Sequence, residues 1–368
     1  MHLYIHVPFC QRRCSYCDFS IAVRRQIPAR EYVDVILKEA RGADFGELET
    51  LYFGGGTPSL LPADAIAQLV QELPSLRRTP HAVAPHEITI EANPEDVTVD
   101  SACAWRAAGI NRVSLGAQSF DDAVLKWMHR SHDAEQTHRA VRALRDAGIE
   151  NISLDLIFGL PEELHRNWER DLDILRSLLP AHCSLYGLTV EPRTPLDRWI
   201  SRGATQAPND DRYAEEYLTA HRRLTADGYS FYEVSNASLP GFRSQHNSAY
   251  WSGKAYVGLG PAAHSFDGRI RRWNLRAWEA YRRAIAEGRS AVESEETLSA
   301  EQRDLEAIYL GLRTVEGVPL AALRRPSPPF AAALGWVFEE GGRLKCTPEG
   351  WLRLDSLVSE LTMQTETR

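Results

Sequence analysis

Met1-His2-Leu3-Tyr4-Ile5-His6-Val7-Pro8-Phe9-Cys10-Gln11-Arg12-Arg13-Cys14-Ser15-Tyr16-Cys17 opens the chain and governs how the rest is read. The alternating apolar run at 3–7 predicts a strand. Pro8 and Phe9 end it, and the loop that follows carries Cys10, Cys14 and Cys17, spaced x3 and then x2. Three thiolates on one tight loop can converge on a single soft metal centre. A cubane of four irons and four sulfides ordinarily takes four protein thiolates, so a loop that offers three leaves one iron open to another ligand. An open position separates a working metal from a structural one. The spacing favours iron–sulfur over a structural zinc site completed by His6 or His2. Residues this close on one loop cannot all point into a core, which counts against chance clustering. An odd number of cysteines on the loop and the lack of a secretion signal count against disulfides.

With 368 residues the chain can hold one large domain plus a small one. Its composition, 43% apolar and 25% charged, is that of an ordinary soluble protein. No stretch approaches the roughly 20 apolar residues of a membrane span. The start on a strand predicts no signal or transit peptide, and therefore a cytoplasmic protein. A net charge of −8 argues against a general nucleic-acid binder. Cys103, Cys183 and Cys346 are scattered and read as small buried hydrophobes in a reducing compartment.

From residue 1 to about 235, strand candidates at 3–7, 50–53, 87–91, 112–115, 152–156, 184–189 and 231–234 alternate with helical patterns at 31–41, 63–72, 101–108, 134–147 and 168–178. This alternation implies right-handed βαβ crossovers and a parallel sheet, either a partial (β/α) barrel or a doubly wound sheet. A barrel demands that functional groups cluster past the C-terminal strand ends. Gly54-Gly55-Gly56-Thr57-Pro58, Glu91 with Asn93, Gly116 with Gln118 and Ser119, and Asp155 before Phe158-Gly159-Leu160-Pro161 all stand there. They should share one mouth with the cysteine loop. Three consecutive glycines let the backbone approach a ligand closely and offer N–H groups to an anion. The run is neither a P-loop nor a GxGxxG.

Residues 236 to 293 change character. Ser244-Gln245-His246-Asn247-Ser248-Ala249-Tyr250-Trp251 leads into a glycine-spaced aromatic loop at 253–264, with Trp273, Trp278 and Tyr281 expected on a helix after it. Aromatics with His and Asn suit a flat apolar ligand, or else cover an open sheet edge. From about 298 onward the pattern predicts helices at 300–312 and 320–324, a hairpin at 336–338 and 344–346 around Gly341-Gly342, and a last helix at 348–361. Helices followed by a small hairpin resemble a winged-helix module. This segment holds eight Lys/Arg against ten Asp/Glu, so it lacks a basic face for phosphate and reads as a packing or lid domain. Pro326, Pro328 and Pro329 read as a stiff internal linker.

Tyr4-x-His6-x-Pro8-Phe9-Cys10-x3-Cys14-x-Tyr16-Cys17-Asp18-Phe19 resembles the signature of the radical S-adenosylmethionine (SAM) enzymes. More narrowly it is similar to the branch related to oxygen-independent coproporphyrinogen dehydrogenase, which the glycine run, Gly116-x-Gln118-Ser119 and Asp155-Leu156-Ile157-x-Gly159-Leu160-Pro161 also match. The resemblance implies an α/β fold, a partial (β/α)6-type TIM barrel over residues 1–235, a barrel-edge extension at 236–295, and a small C-terminal winged-helix-like helical domain at 296–368. It implies that Cys10, Cys14 and Cys17 hold a [4Fe–4S] cluster whose fourth iron is chelated by SAM. By motif position Tyr4 and Tyr16 would lie beside the adenosyl group and Gly55, Gly56 and Thr57 would receive the methionine end. Glu91, Gln118, Arg130 and Asp155 would bind its amino, ribose or carboxylate groups.

Two departures bear on the subfamily. The dehydrogenases carry a fourth Cys where Phe19 stands, and a long N-terminal extension, whereas this chain starts almost at the cysteine loop. Cys17-Asp18-Phe19 and His246-Asn247-x-x-Tyr250-Trp251 instead resemble the heme chaperones called HemW. That resemblance implies heme as cargo, His246 as a heme ligand, and heme-receiving respiratory proteins as partners, including ones at the membrane surface. Three functions therefore compete: a heme-trafficking protein on a radical-SAM core, a SAM-dependent decarboxylase of coproporphyrinogen III propionates, and a zinc-stabilised binding module.

Overall fold

Alternate residues of the early strands are apolar, and the residues between them are polar or small. A computed structural model, which describes residues 1–43, 46–75, 85–323 and 329–362, turns the two sets to opposite faces of one sheet. Leu3, Ile5, Leu51, Phe53, Ile88, Ile90, Val113, Leu115, Ile152 and Leu154 join helix residues such as Ile36, Leu69, Trp105, Leu144 and Leu172 in a continuous apolar layer. The other face carries Tyr4, Tyr52, Thr89, Glu91, Ser114, Ser153, Asp155 and Ser184. An apolar face packed under helices and a polar inner face is the division that a barrel with an interior site requires.

Six parallel strands form the barrel: β1 (His2–Val7), β2 (Thr50–Gly55), β3 (Glu87–Ala92), β4 (Arg112–Gln118), β5 (Asn151–Phe158) and β6 (His182–Gly187). The crossovers run through α1 (Ala29–Ala40), α2 (Ala63–Ser75), α3 (Val99–Ala108), α4 (Ala134–Asp146) and α5 (Trp168–Leu178). Their ends follow local chemistry. Thr98 with Ser101 and Asp133 with Gln136 form capping boxes at α3 and α4, and Gly109 ends α3 at φ +103°.

The expected seventh parallel strand at 231–234 is replaced by a short antiparallel return. After α6 (Asp210–Ala226), β7 (Ser230–Phe231) pairs with β8 (Asn236–Ser238), and β8 takes the place beside β6. The chain turns between Phe231 and Asn236, where the Asn236 N–H donates to the Glu233 carbonyl, so no length remains for a crossover. At the opposite edge, β9 (Tyr256–Leu259) runs parallel to β1, and β10 (His264–Phe266), β11 (Ile270–Asn274) and β12 (Val292–Thr297) extend the sheet antiparallel. The glycine-spaced stretch is thus partly strand. Trp273 lies on β11, while Trp278 and Tyr281 lie on helix α8 (Trp278–Ala286), which follows α7 (Gln245–Trp251).

Beyond residue 298, α9 (Ala300–Leu312) precedes a three-stranded antiparallel sheet of Val318–Pro319, Arg343–Cys346 and Val337–Glu340, and α10 (Leu354–Thr362) closes the described chain. Gly341 and Gly342 turn the hairpin, both at positive φ. The expected helix at 320–324 is a single 3-10 turn, Leu320–Ala322, and Pro326 and Pro328 lie outside the described residues. Trp351 donates its indole N–H to the Leu312 carbonyl, and Ile308, Leu312 and Leu357 belong to the same apolar layer as the barrel. Cys183 and Cys346 are buried as expected, but Cys103 is exposed on α3.

Candidate functional site

Past the C-terminal ends of β1 to β6 lies a cavity of about 430 Å³. Its wall includes Cys10, Cys14, Tyr16, Cys17, Gly55, Gly56, Thr57, Glu91, Gln118, Arg130 and Asp155, so eleven of the thirteen expected site residues meet there. The cysteine loop is strapped across the mouth. The Ser15 N–H donates to the Met128 carbonyl at 3.1 Å, and the Ser15 carbonyl accepts from Leu196 N–H at 2.9 Å. Arg12 reaches the His129 and Arg130 carbonyls, and Arg24 N–H donates to the Cys10 carbonyl at 2.9 Å.

The glycine run explains how the loop sits so close. A Cβ on Gly56 would lie 2.8 Å from the Phe9 carbonyl oxygen, and one on Gly55, at φ +114°, would lie 2.6 Å from the His6 ring. These residues are required by the packing of the β2 end against the cysteine loop as well as by any ligand. Thr57 then stands 3.3 Å from the Cys10 sulfur. Burial pushes the Cys10 thiol up to about 11, opposed by that hydrogen bond, so metal binding there must displace a proton.

Among the described residues, no three His, Cys, Asp or Glu side chains gather tightly enough to hold one metal ion. A cubane takes its thiolates on separate irons, and Cys10, Cys14 and Cys17 all line this cavity, so the donor set suits the cluster.

The electrostatics of the cavity are divided. Glu91 accepts from Tyr52 O–H at 2.8 Å and Gly55 N–H at 3.0 Å, yet burial pushes its carboxyl up to about 7. Asp155 accepts from Ser114 at 2.9 Å and Ser153 at 2.9 Å, and burial raises it too. Across from them, Arg130 donates to the Gly116 carbonyl at 3.0 Å, the Asn93 side-chain oxygen at 2.5 Å and the Cys14 sulfur at 3.5 Å. Burial opposes its charge, but Tyr16, Cys14 and Glu95 hold its pKa above the ordinary value. Two carboxyls facing one guanidinium suit a ligand that carries both an ammonium and a carboxylate.

Gln118 reaches the cavity through a bulge between Leu115 and Gln118 and a left-handed backbone at φ +65°. Ser119, expected at the mouth, instead donates to Asp171 at 2.8 Å on the far side of the strand. Ser114 and Tyr186 line the cavity and were not singled out from sequence; both occupy inward positions of strands already recognised, and alternation carried that signal. Asn93, noted only for its place after β3, is the group that aims Arg130.

Tyr4 and His246 lie elsewhere. Tyr4 stacks on Tyr52 one layer below the mouth, bonds His6 Nδ1 at 3.1 Å, and lines a second cavity. His246 is at the other end of the barrel on α7, 1% exposed. Its Nδ1 pairs with Thr50 Oγ1 at 2.7 Å and its Nε2 with Tyr250 O–H at 2.9 Å, so both ring nitrogens are hydrogen-bonded within the fold.

Residues 4–175 match the model of the Radical SAM superfamily. A Mycobacterium tuberculosis protein named heme chaperone HemW is 36% identical over 370 residues, covering 98% of this chain and 94% of its own. The Escherichia coli protein of the same name is 34% identical over 377 residues, covering 97% of both. The solved Escherichia coli coproporphyrinogen III oxidase HemN, described as a radical SAM enzyme, superposes with a TM-score of 0.81 at 22% identity over 98% of this chain and 89% of its own, a likeness of fold. With this identity along nearly its whole length, the chain belongs to the HemW family of the radical SAM superfamily.

Proposed function

We propose that this protein binds a [4Fe–4S] cluster on Cys10, Cys14 and Cys17, SAM in the cavity beside it, and heme as cargo for delivery to respiratory proteins. The observation that carries the reading is the meeting of Cys10, Cys14 and Cys17 with Glu91, Asp155 and Arg130 around one cavity at the barrel mouth. The cluster, when bound, supplies one-electron chemistry and an open iron. The chain's own residues do the rest. Gly55, Gly56 and Thr57 offer a tight backbone wall, Glu91 and Asp155 accept from ammonium or hydroxyl groups, and Arg130 pairs a carboxylate. Gln118 and Tyr16 fill the polar and aromatic sides of the same wall.

The name carried by relatives at 34–36% identity supports heme as cargo. Phe19, standing where the coproporphyrinogen dehydrogenases carry a further cysteine, supports the same choice. Among the described residues no helix is long and apolar enough to cross a membrane, so contact with membrane-bound acceptors would run through the surface. The test is anaerobic reconstitution followed by iron and sulfide analysis, SAM binding, hemin titration and a parallel coproporphyrinogen III assay. About four irons per chain with a hemin-dependent Soret shift is the expected result. Turnover of coproporphyrinogen III would overturn the choice of cargo protein over enzyme.

A further inference from the structure

A second cavity of about 580 Å³ adjoins the first, sharing Asp18, Phe19, Gly55 and Glu91 with it. One side is the limb of the cysteine loop at 18–20 and the other is the β10–β11 hairpin with the segment after it. Its size lies in the ordinary range for a cofactor-sized ligand. Phe19 is 61% exposed at the rim, unusual for so large an apolar ring. Across the cavity, His264 stacks on Trp273, with ring centroids 5.8 Å apart and planes at 26°.

We propose that this second cavity is the heme site, with His264 as the axial ligand to iron, Trp273 as the ring that braces its imidazole, Phe19 as an aromatic wall, and Arg276 as the partner of a propionate. The inference rests on the heme reading above. Two imidazoles line the cavity, and their hydrogen bonds separate them. His6 is committed at both nitrogens, to Tyr4 O–H at 3.1 Å and the Ser20 carbonyl at 3.1 Å. His264 is exposed and makes no side-chain hydrogen bond among the described residues. Heme iron commonly takes an axial His, and a porphyrin face stacks on aromatic rings. Arg276 is exposed, and its side chain is likewise unpaired among the described residues, as a group receiving a carboxylate from outside should be.

The backbone holds His264 in place before any ligand arrives. Gly260, at φ +101°, packs so closely on β1 that a Cβ there would lie 2.6 Å from the His6 carbonyl oxygen. Ala262 takes φ +58°, its N–H donates to the Leu275 carbonyl at 3.1 Å, and Asn274 N–H donates to the Ala263 carbonyl at 3.0 Å. Asn274 also donates to the Gly260 carbonyl at 2.9 Å and to Glu39 at 2.6 Å. A ligand group fixed in this way loses little entropy on binding.

The experiment is hemin titration of the full chain after anaerobic cluster reconstitution, read by the Soret band and electron paramagnetic resonance, for wild type, His264→Ala, His264→Cys, Phe19→Ala and Arg276→Ala. His264→Ala should weaken hemin binding by about tenfold or more and abolish the imidazole-ligated spectrum, with cluster absorbance and circular dichroism unchanged. His264→Cys should move the Soret band to a thiolate-ligated position, a gain of signal that misfolding cannot mimic. Arg276→Ala and Phe19→Ala should each weaken binding about threefold. Wild-type binding that His264→Ala leaves intact overturns this site alone. A wild-type chain that does not change the hemin spectrum overturns the heme reading and the site with it.

Discussion

At the mouth of the barrel Cys10, Cys14, Cys17, Glu91 and Asp155 face a cavity; at the floor His2, Thr50, Glu87, Arg112 and His246 face one another. Both ends are rich in groups that could carry chemistry. At the floor Glu87, Thr50 and His246 are consumed by the fold. Glu87, 3% exposed, accepts from the N–H groups of Gln245 at 2.8 Å and His246 at 3.0 Å, and so caps the start of α7. Thr50 joins His2 and His246, and Tyr250 closes the chain. Arg112 sits in the field of Glu87 and Asp155, which holds its pKa up although burial works against it. Helix α7 is a stopper, and a buried polar cluster becomes a site only where its groups also border a cavity.

The sharpest way to break this contrast is to remove sulfur at the mouth. Cys14→Ser or Cys17→Ser should leave the apo chain's unfolding midpoint nearly unchanged, since neither sulfur belongs to the apolar layer. Reconstituted iron and sulfide should fall to near zero, because a cluster held by two cysteines is lost. Iron content equal to wild type would end the assignment of the mouth.

The floor should answer in stability. Glu87→Ala strips the α7 cap and removes the carboxylate that most favours the Arg112 charge, with two guanidinium nitrogens already lacking hydrogen bonds. Urea unfolding should show a loss of about 3 kcal/mol, from the orphaned α7 N–H groups and a buried guanidinium left less compensated. Iron loading per folded chain should stay at the wild-type level. His246→Ala comes next, at about 2 kcal/mol for a buried ring with two hydrogen bonds. Its hemin spectrum should follow wild type, in contrast to His264→Ala. If His246→Ala loses the Soret band without losing stability, floor and mouth have been assigned the wrong way round.

How much of this could be read beforehand differs between the two ends. The mouth was legible because strand alternation and cysteine spacing are local patterns. Residues 3–7, 50–53, 87–91, 112–115 and 152–156 became strands, and their ends delivered Glu91, Gln118 and Asp155 to one place. The floor was not, because His246, Asn247, Tyr250 and Trp251 are the residue types of a ligand site and of a satisfied stopper alike. Which of the two they form depends on Thr50 and Glu87, nearly two hundred and about a hundred and sixty residues away. Strand β9 was hidden by its glycines. Gly258 is needed because a Cβ there would lie 2.2 Å from the His264 carbonyl oxygen, a contact made by tertiary pairing. Trp273 looked helical beside Trp278 because aromatic spacing does not record the break at Leu275-Arg276-Ala277.

The smallest effect tests the turn that carries His264. Glu39 accepts from Gly260 N–H at 2.8 Å, from Asn274 at 2.6 Å and from the Tyr281 hydroxyl, tying α1 to the turn that delivers His264. Burial, opposed by those bonds, raises its carboxyl from 4.5 to about 7. The folded chain therefore binds this proton more tightly than the unfolded one. The stabilisation is full below pH 4.5 and is lost as the pH rises through about 7. Between pH 5 and pH 7.5, wild type should lose about 1–2 kcal/mol from this group, allowing for its partial contact with water. Glu39→Gln cannot titrate, so its urea-unfolding free energy should fall less by that amount over the same interval. Other raised carboxyls such as Glu91 act equally in both proteins and cancel in the difference. Parallel pH curves for the two would mean that Glu39 is ionised at no cost, and that the turn beneath His264 is held by its backbone hydrogen bonds alone.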